Sequence, residues 1–226
     1  MKPFLLFQGP VRSRSGYGDH TRDLILSLVN MNKFDVHIAA TQWGDCPETG
    51  LDLSNPEHKK LNNLILQNLQ LPKQPDIFVQ CSVPNEFQKI GKFSIGITAG
   101  IETTACDPSW IEGCNKMDLI IVPSRHSRDV MLNSTYDRMD KKTNQKVCEL
   151  KCEKPIEVLF EGVDSDVYKP LRKEEISSNF FDWLNDEVPE RFAFLHVGQW
   201  VKGNYGEDRK DIGRMLKIFY ESFANK

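Results

Sequence analysis

The sequence predicts an α/β protein built on a parallel sheet with helices over both faces. Short apolar runs alternate with stretches of helical periodicity through about the first 165 residues. A glycine-bearing turn stands between strand and helix after the first apolar run, at 16–18, and again near 198–206. Hydrophobic content of 39%, charged content of 27% and aromatic content of 10% suit a protein with a sizeable core and argue against wholesale disorder.

The predicted strands are "PFLLFQ" (3–8), "FDVHIAA" (34–40), "DIFVQCS" (76–82), "FSIGITA" (93–99), "DLIIVPS" (118–124) and "IEVLFEG" (156–162). Between them, helices are expected from about Asp19 to Met31, with Leu24, Leu28 and Met31 at core spacing, and over 56–69, 108–117 and 124–134. Ser124 or Ser127 is the natural cap of the last of these. The polar, lysine-rich 136–154 reads as a solvated loop or hairpin. Strands and helices in this order give a Rossmann-like, doubly wound first domain over 1–170. Residues 171–226 then read as a polar linker and short helix (171–189), a strand in "RFAFLHVGQW" (191–200) and a last helix with Ile212, Leu216, Phe219 and Phe223 on one face. One strand and one helix do not make an independent α/β domain, so this segment reads as the start of a second, incomplete one. Its unpaired strand is expected to fold back on the first domain or to pair with a second copy.

Composition narrows the function classes. A net charge of −3 argues against nucleic acid as a partner. No apolar run approaches the ~18 residues of a membrane span, and "MKPFLLFQGP" holds too short an apolar stretch for a signal peptide, so a cytoplasmic location is expected. The six cysteines form no CxxC pair and the five histidines are scattered, so free thiols are expected and no metal site. The glycosylation pattern at Asn133 carries no meaning without secretion.

Three turns are candidates for chemistry. In "SRSGYGDHTR" (13–22), a strand, a glycine turn and a helix N-terminus make an anion site. Gly16 and Gly18 there would permit positive φ or close backbone approach, and Arg12 and Arg14 supply positive charge. Thr21 stands where a dinucleotide fingerprint has its third glycine. In "GQWVKGNYGEDRKD" (198–211), Lys202, Arg209 and Lys210 crowd a helix start, where cations oppose the dipole unless an anion lies between them. In "ITAGIETTACDPSW" (97–110), Glu102 offers a carboxylate to orient a hydroxyl or act as a base, and Thr103 and Thr104 offer polar contacts. His20 sits in the first helical turn, where an imidazolium would favour an anion. His196 reads as a core histidine, the four tryptophans as packing residues, and Asp164 as a turn brace.

Taken in order, several segments resemble one family. "SGYGDHTRDLILSL", "DLIIVPSRHSRDVM", "VLFEGVDSDVYKP" and "FAFLHVGQW" followed by "RKDIGRMLKIF" together look like retaining glycosyltransferases of the GT-B fold, family four, also called group 1. The resemblance spans almost the whole chain. It implies two Rossmann-like domains, an acceptor-binding first and a nucleotide-sugar-binding second. It further implies that Gly16 and Gly18 approach the donor diphosphate and that Lys210 neutralises it from the second domain, with Lys202 or Arg209 as substitutes for the rest of the cationic clamp. On the residue readings above, Arg14 joins the diphosphate set, His20, Thr103 and Thr104 are the acceptor candidates and Glu102 the catalytic one. Transfer with retention would need no metal and no cofactor beyond the nucleotide-sugar substrate. Two departures stand out. Gln199 occupies the position where the family usually has arginine, and the family's paired glutamates lie beyond the point where this sequence stops. The alternatives are a non-catalytic short paralogue that binds a glycan or a partner, and a nicotinamide-dependent oxidoreductase, which Thr21 disfavours.

Overall fold

A computed structural model describes residues 2–223, apart from 69, 70, 72, 101, 141, 144, 199–204, 208 and 209. The chain forms two compact units, Met1–Val163 and Asp164–Lys226.

The first unit is α/β. Strands β1 (Phe4–Gly9), β2 (Asp35–Ala40), β3 (Ile77–Cys81), β4 (Phe93–Ile97), β5 (Leu119–Val122) and β8 (Ile156–Val158) form a six-stranded sheet in the order β2-β1-β3-β4-β5-β8. Every pairing is parallel, so all six carboxyl ends lie along one edge. Outside β2, Ile65 makes a single parallel rung with Ile38, and the Leu66 N–H donates to the Ile38 carbonyl at 2.9 Å. Counting that rung as a rudimentary third strand gives the strand order of a Rossmann-like sheet. The predicted 56–69 helix therefore ends early: α2 covers Pro56–Leu64 because Ile65 is recruited to the sheet edge.

Helices sit on both faces, and strand alternation sorts the core between them. Leu5, Phe7, Val79, Cys81 and Ile97 pack on one face with Ile25 of α1 (Gly16–Asn30) and Leu61 of α2. Leu6, Phe78, Ile120 and Val122 pack on the other with α3 (Pro108–Cys114), α4 (Arg125–Asn133) and Phe87. β1 is buried on both faces because it lies between two strands and two helical layers, which is why it reads as a continuous apolar run. Gly96 makes room for Phe87, whose ring a Cβ would strike.

Local sequence sets the helix starts. Ser15, Asn55, Asp107 and Ser124 each accept a backbone N–H with the side chain, and prolines open α2 and α3. Helix α1 begins at Gly16 rather than Asp19, and its fully buried residues are Gly18, Thr21, Arg22 and Ile25, with Leu24 and Leu28 half-buried against the same cluster. Met31, expected in the core, is exposed. Residues 136–154 form the expected hairpin, with β6 (Tyr136–Met139) antiparallel to β7 (Lys146–Leu150).

The second unit holds α5 (Ser178–Glu187) and α6 (Ile212–Phe223). The strand expected at 191–200 is not formed over 191–198, and 199 and 200 lie outside the described residues. Phe192, Phe194, Leu195 and Val197 are exposed in the single chain, and His196 is an exposed residue, not a core one. The physical reason is the lack of a partner, since a lone extended segment has no ladder to satisfy its backbone. Asp164 does brace its turn, accepting the N–H of Asp166 at 2.9 Å. Among the described residues, no helix is long and apolar enough to cross a membrane.

Candidate functional site

The site is assembled where the loop after β1 meets the carboxyl ends of β3 and β4. Chain order reverses between β1 and β3, and open α/β sheets bind ligands in the crevice at such a point.

Arg22 organises the loop. Although charged, it is buried, and its guanidinium donates to the carbonyls of Val11 at 2.8 Å and Ser13 at 2.9 Å while pairing with Asp19. With those carbonyls held inward, the Ser13 N–H goes to the Pro10 carbonyl and the Arg14 N–H to the Pro47 carbonyl, each at 2.9 Å. Ser15 then caps α1 by accepting the Gly18 N–H at 3.1 Å. The amides of Gly16 and Tyr17, at the positive end of a 15-residue helix, have no acceptor among the described residues.

The two glycines of this turn do different work. Neither has positive φ, which corrects one half of the expectation. Gly18 is required for close approach, because a Cβ there would collide with the Ser13 carbonyl. Gly16 is exposed and a Cβ would meet nothing within 4 Å, so the amide face stays open. Thr21 fits where a fingerprint would have glycine because the missing bulk is on the strand: a Cβ on Gly9 would lie 3.0 Å from Thr21 Oγ1.

Tyr17 joins this loop to β4. Its hydroxyl lies 3.1 Å from Thr98 Oγ1 and accepts the Ala99 N–H at 3.0 Å. Burial raises the phenol's pKa and outweighs these hydrogen bonds, so the hydroxyl stays neutral. Trp43, from the loop after β2, stacks on the Tyr17 ring with centroids 4.1 Å apart. Beside this stack a small cleft opens over the ends of β2, β1 and β3, lined by Gln8, Thr41, Gln42, Trp43, Ser82 and Glu86. The Ser82 hydroxyl donates to the Glu86 carboxylate, and burial pushes the neighbouring Cys81 thiol up to about 12, removing it as a nucleophile.

The predicted residues fall into three groups. Gly16, Gly18, exposed Arg14 and half-buried His20 share the α1 start, and His20 Nδ1 lies 3.9 Å from Glu161 beyond β8. Glu102, Thr103 and Thr104 are exposed on the loop after β4, at the same edge of the sheet, where Thr103 turns its hydroxyl to the Ala105 carbonyl at 2.7 Å. Lys210 is exposed in the second unit, whereas Lys202 and Arg209, with Gln199, lie outside the described residues. Arg22, Tyr17, Trp43 and the Ser82–Glu86 pair were not anticipated. A signal for Arg22 does exist, since Asp19 stands three residues before it, one turn away on the same helix. Nothing local in the sequence brings Tyr17 to Trp43 or Ser82 to the cleft.

Comparison with known proteins finds no protein-family model, no curated protein and no solved structure that matches this chain.

Proposed function

We propose that this chain is a nucleotide-sugar-dependent glycosyltransferase of the GT-B type, with its acceptor-side domain in the first unit. The observation that carries this reading is the pair of amides at Gly16 and Tyr17 that find no acceptor among the described residues, beside exposed Arg14 and at the topological switch point of a Rossmann-like sheet. Backbone N–H groups and a helix dipole suit a diphosphate, whose charge grows as the glycosyl bond breaks. Their fixed orientation, set by Arg22 and by the close packing of Gly18, means that little reorganisation is needed at that moment.

In this reading the sugar leaves its nucleotide with retained configuration, and Lys202, Arg209 and Lys210 add the cationic share of diphosphate stabilisation, so no metal is required. Glu102 orients or deprotonates a hydroxyl, and Thr103, Thr104 and His20 meet the acceptor. The cleft beside Trp43 adds amide, hydroxyl and carboxylate groups of the kind that recognise sugar hydroxyls.

One observation favours a second reading. Gly9 supplies the close helix–strand packing of the third fingerprint glycine, so Thr21 no longer disfavours a nicotinamide dinucleotide. Against it, β2 ends in Ala40 followed by Thr41, with no carboxylate at the strand end to hold a ribose.

Calorimetric titration with UDP, GDP, ADP and NAD separates the two. A nucleoside diphosphate is expected to bind, NAD to bind more weakly, and Gly16→Val to lower diphosphate affinity about tenfold by covering the amides without unfolding the chain. Preferential NAD binding, or diphosphate binding indifferent to Gly16→Val, would overturn the proposal.

A further inference from the structure

Away from this site, at the carboxyl end of α3, two cysteines distant in sequence are held side by side. Cys114 is the last residue of α3 and is fully buried, and Cys152 lies half-buried in the segment between β7 and β8, packed against the same core cluster. The neighbouring Asn115 fixes their meeting. Its side-chain amide donates to the Lys151 carbonyl at 2.8 Å, and its side-chain oxygen accepts the Glu153 N–H at 2.9 Å. Asn115 thus clamps the backbone on either side of Cys152 against the end of α3, and Cys152, whose thiol donates to the Lys154 carbonyl at 3.8 Å, packs on the core cluster that contains Cys114.

The two thiols differ in a way that suits sequential chemistry. The hydrogen bond from Cys114 lowers the pKa of Cys152 and favours its thiolate. Cys114 is pushed the other way, first by that same contact and then by burial. Cys114 is fully buried and Cys152 only half-buried, so the accessible partner meets an oxidant first and the buried partner is the reserve.

We propose that Cys114 and Cys152 are a redox-sensitive pair, in which a hydroperoxide oxidises Cys152 to a sulfenic acid and Cys114 then closes a reversible disulfide. In the first step the Cys152 thiolate attacks the terminal peroxide oxygen, the O–O bond breaks, and the departing oxyanion takes up the proton that Cys152 had lost. In the second, Cys114 gives up its proton and attacks the Cys152 sulfur. The S–S bond forms, the S–O bond breaks, and the hydroxide leaves with that proton as water. Two thiols and one hydroperoxide become one disulfide, one water and the reduced peroxide fragment. A dithiol reverses the change by two exchanges through a mixed disulfide. The bond tethers α3 to the connector that enters edge strand β8.

The test treats the reduced full chain with one equivalent of hydrogen peroxide, blocks remaining thiols with N-ethylmaleimide, and maps cross-linked peptides by mass spectrometry before and after dithiothreitol. A dithiothreitol-sensitive Cys114–Cys152 peptide is expected to form about tenfold faster than any product of exposed Cys148. Cys114→Ser should leave a sulfenic acid at Cys152 that dimedone traps. Should that buried substitution prevent folding, Asn115→Ala keeps both thiols and is expected to slow closure about tenfold. Linkage of Cys152 to Cys106 instead, oxidation of Cys152 no faster than Cys148, or indifference to Asn115→Ala would each overturn the proposal.

Discussion

The run Phe4, Leu5, Leu6, Phe7 exposes no more than 3% of any side chain, whereas Phe192, Phe194, Leu195 and Val197 expose between 64% and 88%. Both runs are apolar and both precede a glycine turn, yet only the first is a strand. The first unit places β1 between β2 and β3 and under two helical layers, while residues 192–198 pair with no strand among the described residues. What the second unit has is an aromatic cluster, with Phe194 5.7 Å from Phe219 and 5.5 Å from Phe223 between ring centroids, and Ile212 is its one buried hydrophobic among the described residues. Apolar pattern states a demand for burial, and only the surrounding sheet meets it.

The strongest way to break this comparison is to truncate one aromatic in each unit. Phe78 is fully buried in the sheet, and Phe78→Ala should cost about 4 kcal/mol, reported as a lowered urea midpoint. Phe219 is 40% exposed, and Phe219→Ala should cost about 1 kcal/mol or less. Equal losses would mean that the second unit owns a core as firm as the first.

Arg22 gives the next largest effect. Arg22→Met keeps much of the buried stem but strands the Val11 and Ser13 carbonyls, so about 3 kcal/mol should be lost. Because these carbonyls orient the α1 amides, the same variant should weaken diphosphate binding in calorimetry even at temperatures where it is folded.

Within the turn itself, the two glycines should separate cleanly. Gly18→Ala drives a methyl into the Ser13 carbonyl and should cost about 2 kcal/mol. Gly16→Ala meets open space and should change stability by no more than about 0.5 kcal/mol. Thermal melts of the two variants decide the matter, and similar shifts would show that the close approach at Gly18 relaxes easily.

These contrasts also show how far the sequence could be read. The six sheet strands were legible because each is a short apolar run, and Ser124 was legible as a cap because capping chemistry is local. Helix α1 was placed one turn late because Gly16 and Gly18 lowered its apparent propensity, although Ser15 caps it and Gly18 is retained for packing. The 191–200 strand failed for the opposite reason: its propensity is real, but pairing is decided by neighbours the pattern does not contain. In the site, the amides at Gly16 were legible from a strand, a turn and a helix in succession. Arg22 was hidden by its charge, and the stack of Tyr17 on Trp43 by a separation only the fold closes.

The smallest effect sits at the opposite edge of the sheet, where Asp76 ties the starts of β1 and β3 together. Its carboxylate accepts the Phe4 N–H at 2.9 Å and pairs with Lys92 at 2.6 Å and Lys73 at 3.6 Å. The Lys92 contact foremost, then the Phe4 N–H, holds its pKa down at about 2. A depressed folded pKa means that the unfolded chain binds the proton first, so stability rises with pH between about 2 and the ordinary aspartate value of about 4. The contribution is complete above that window and lost as pH falls through it. Wild type should therefore melt slightly above Asp76→Asn at neutral pH, with the gap closing towards pH 2. Hydrogen exchange, corrected for its intrinsic pH dependence, sharpens the contrast between the units: β1 amides should lose protection across this window, while those of 192–198 exchange like open chain throughout. A gap that stays constant down to pH 2 would show that the ties to Lys92 and Phe4 do not survive in solution.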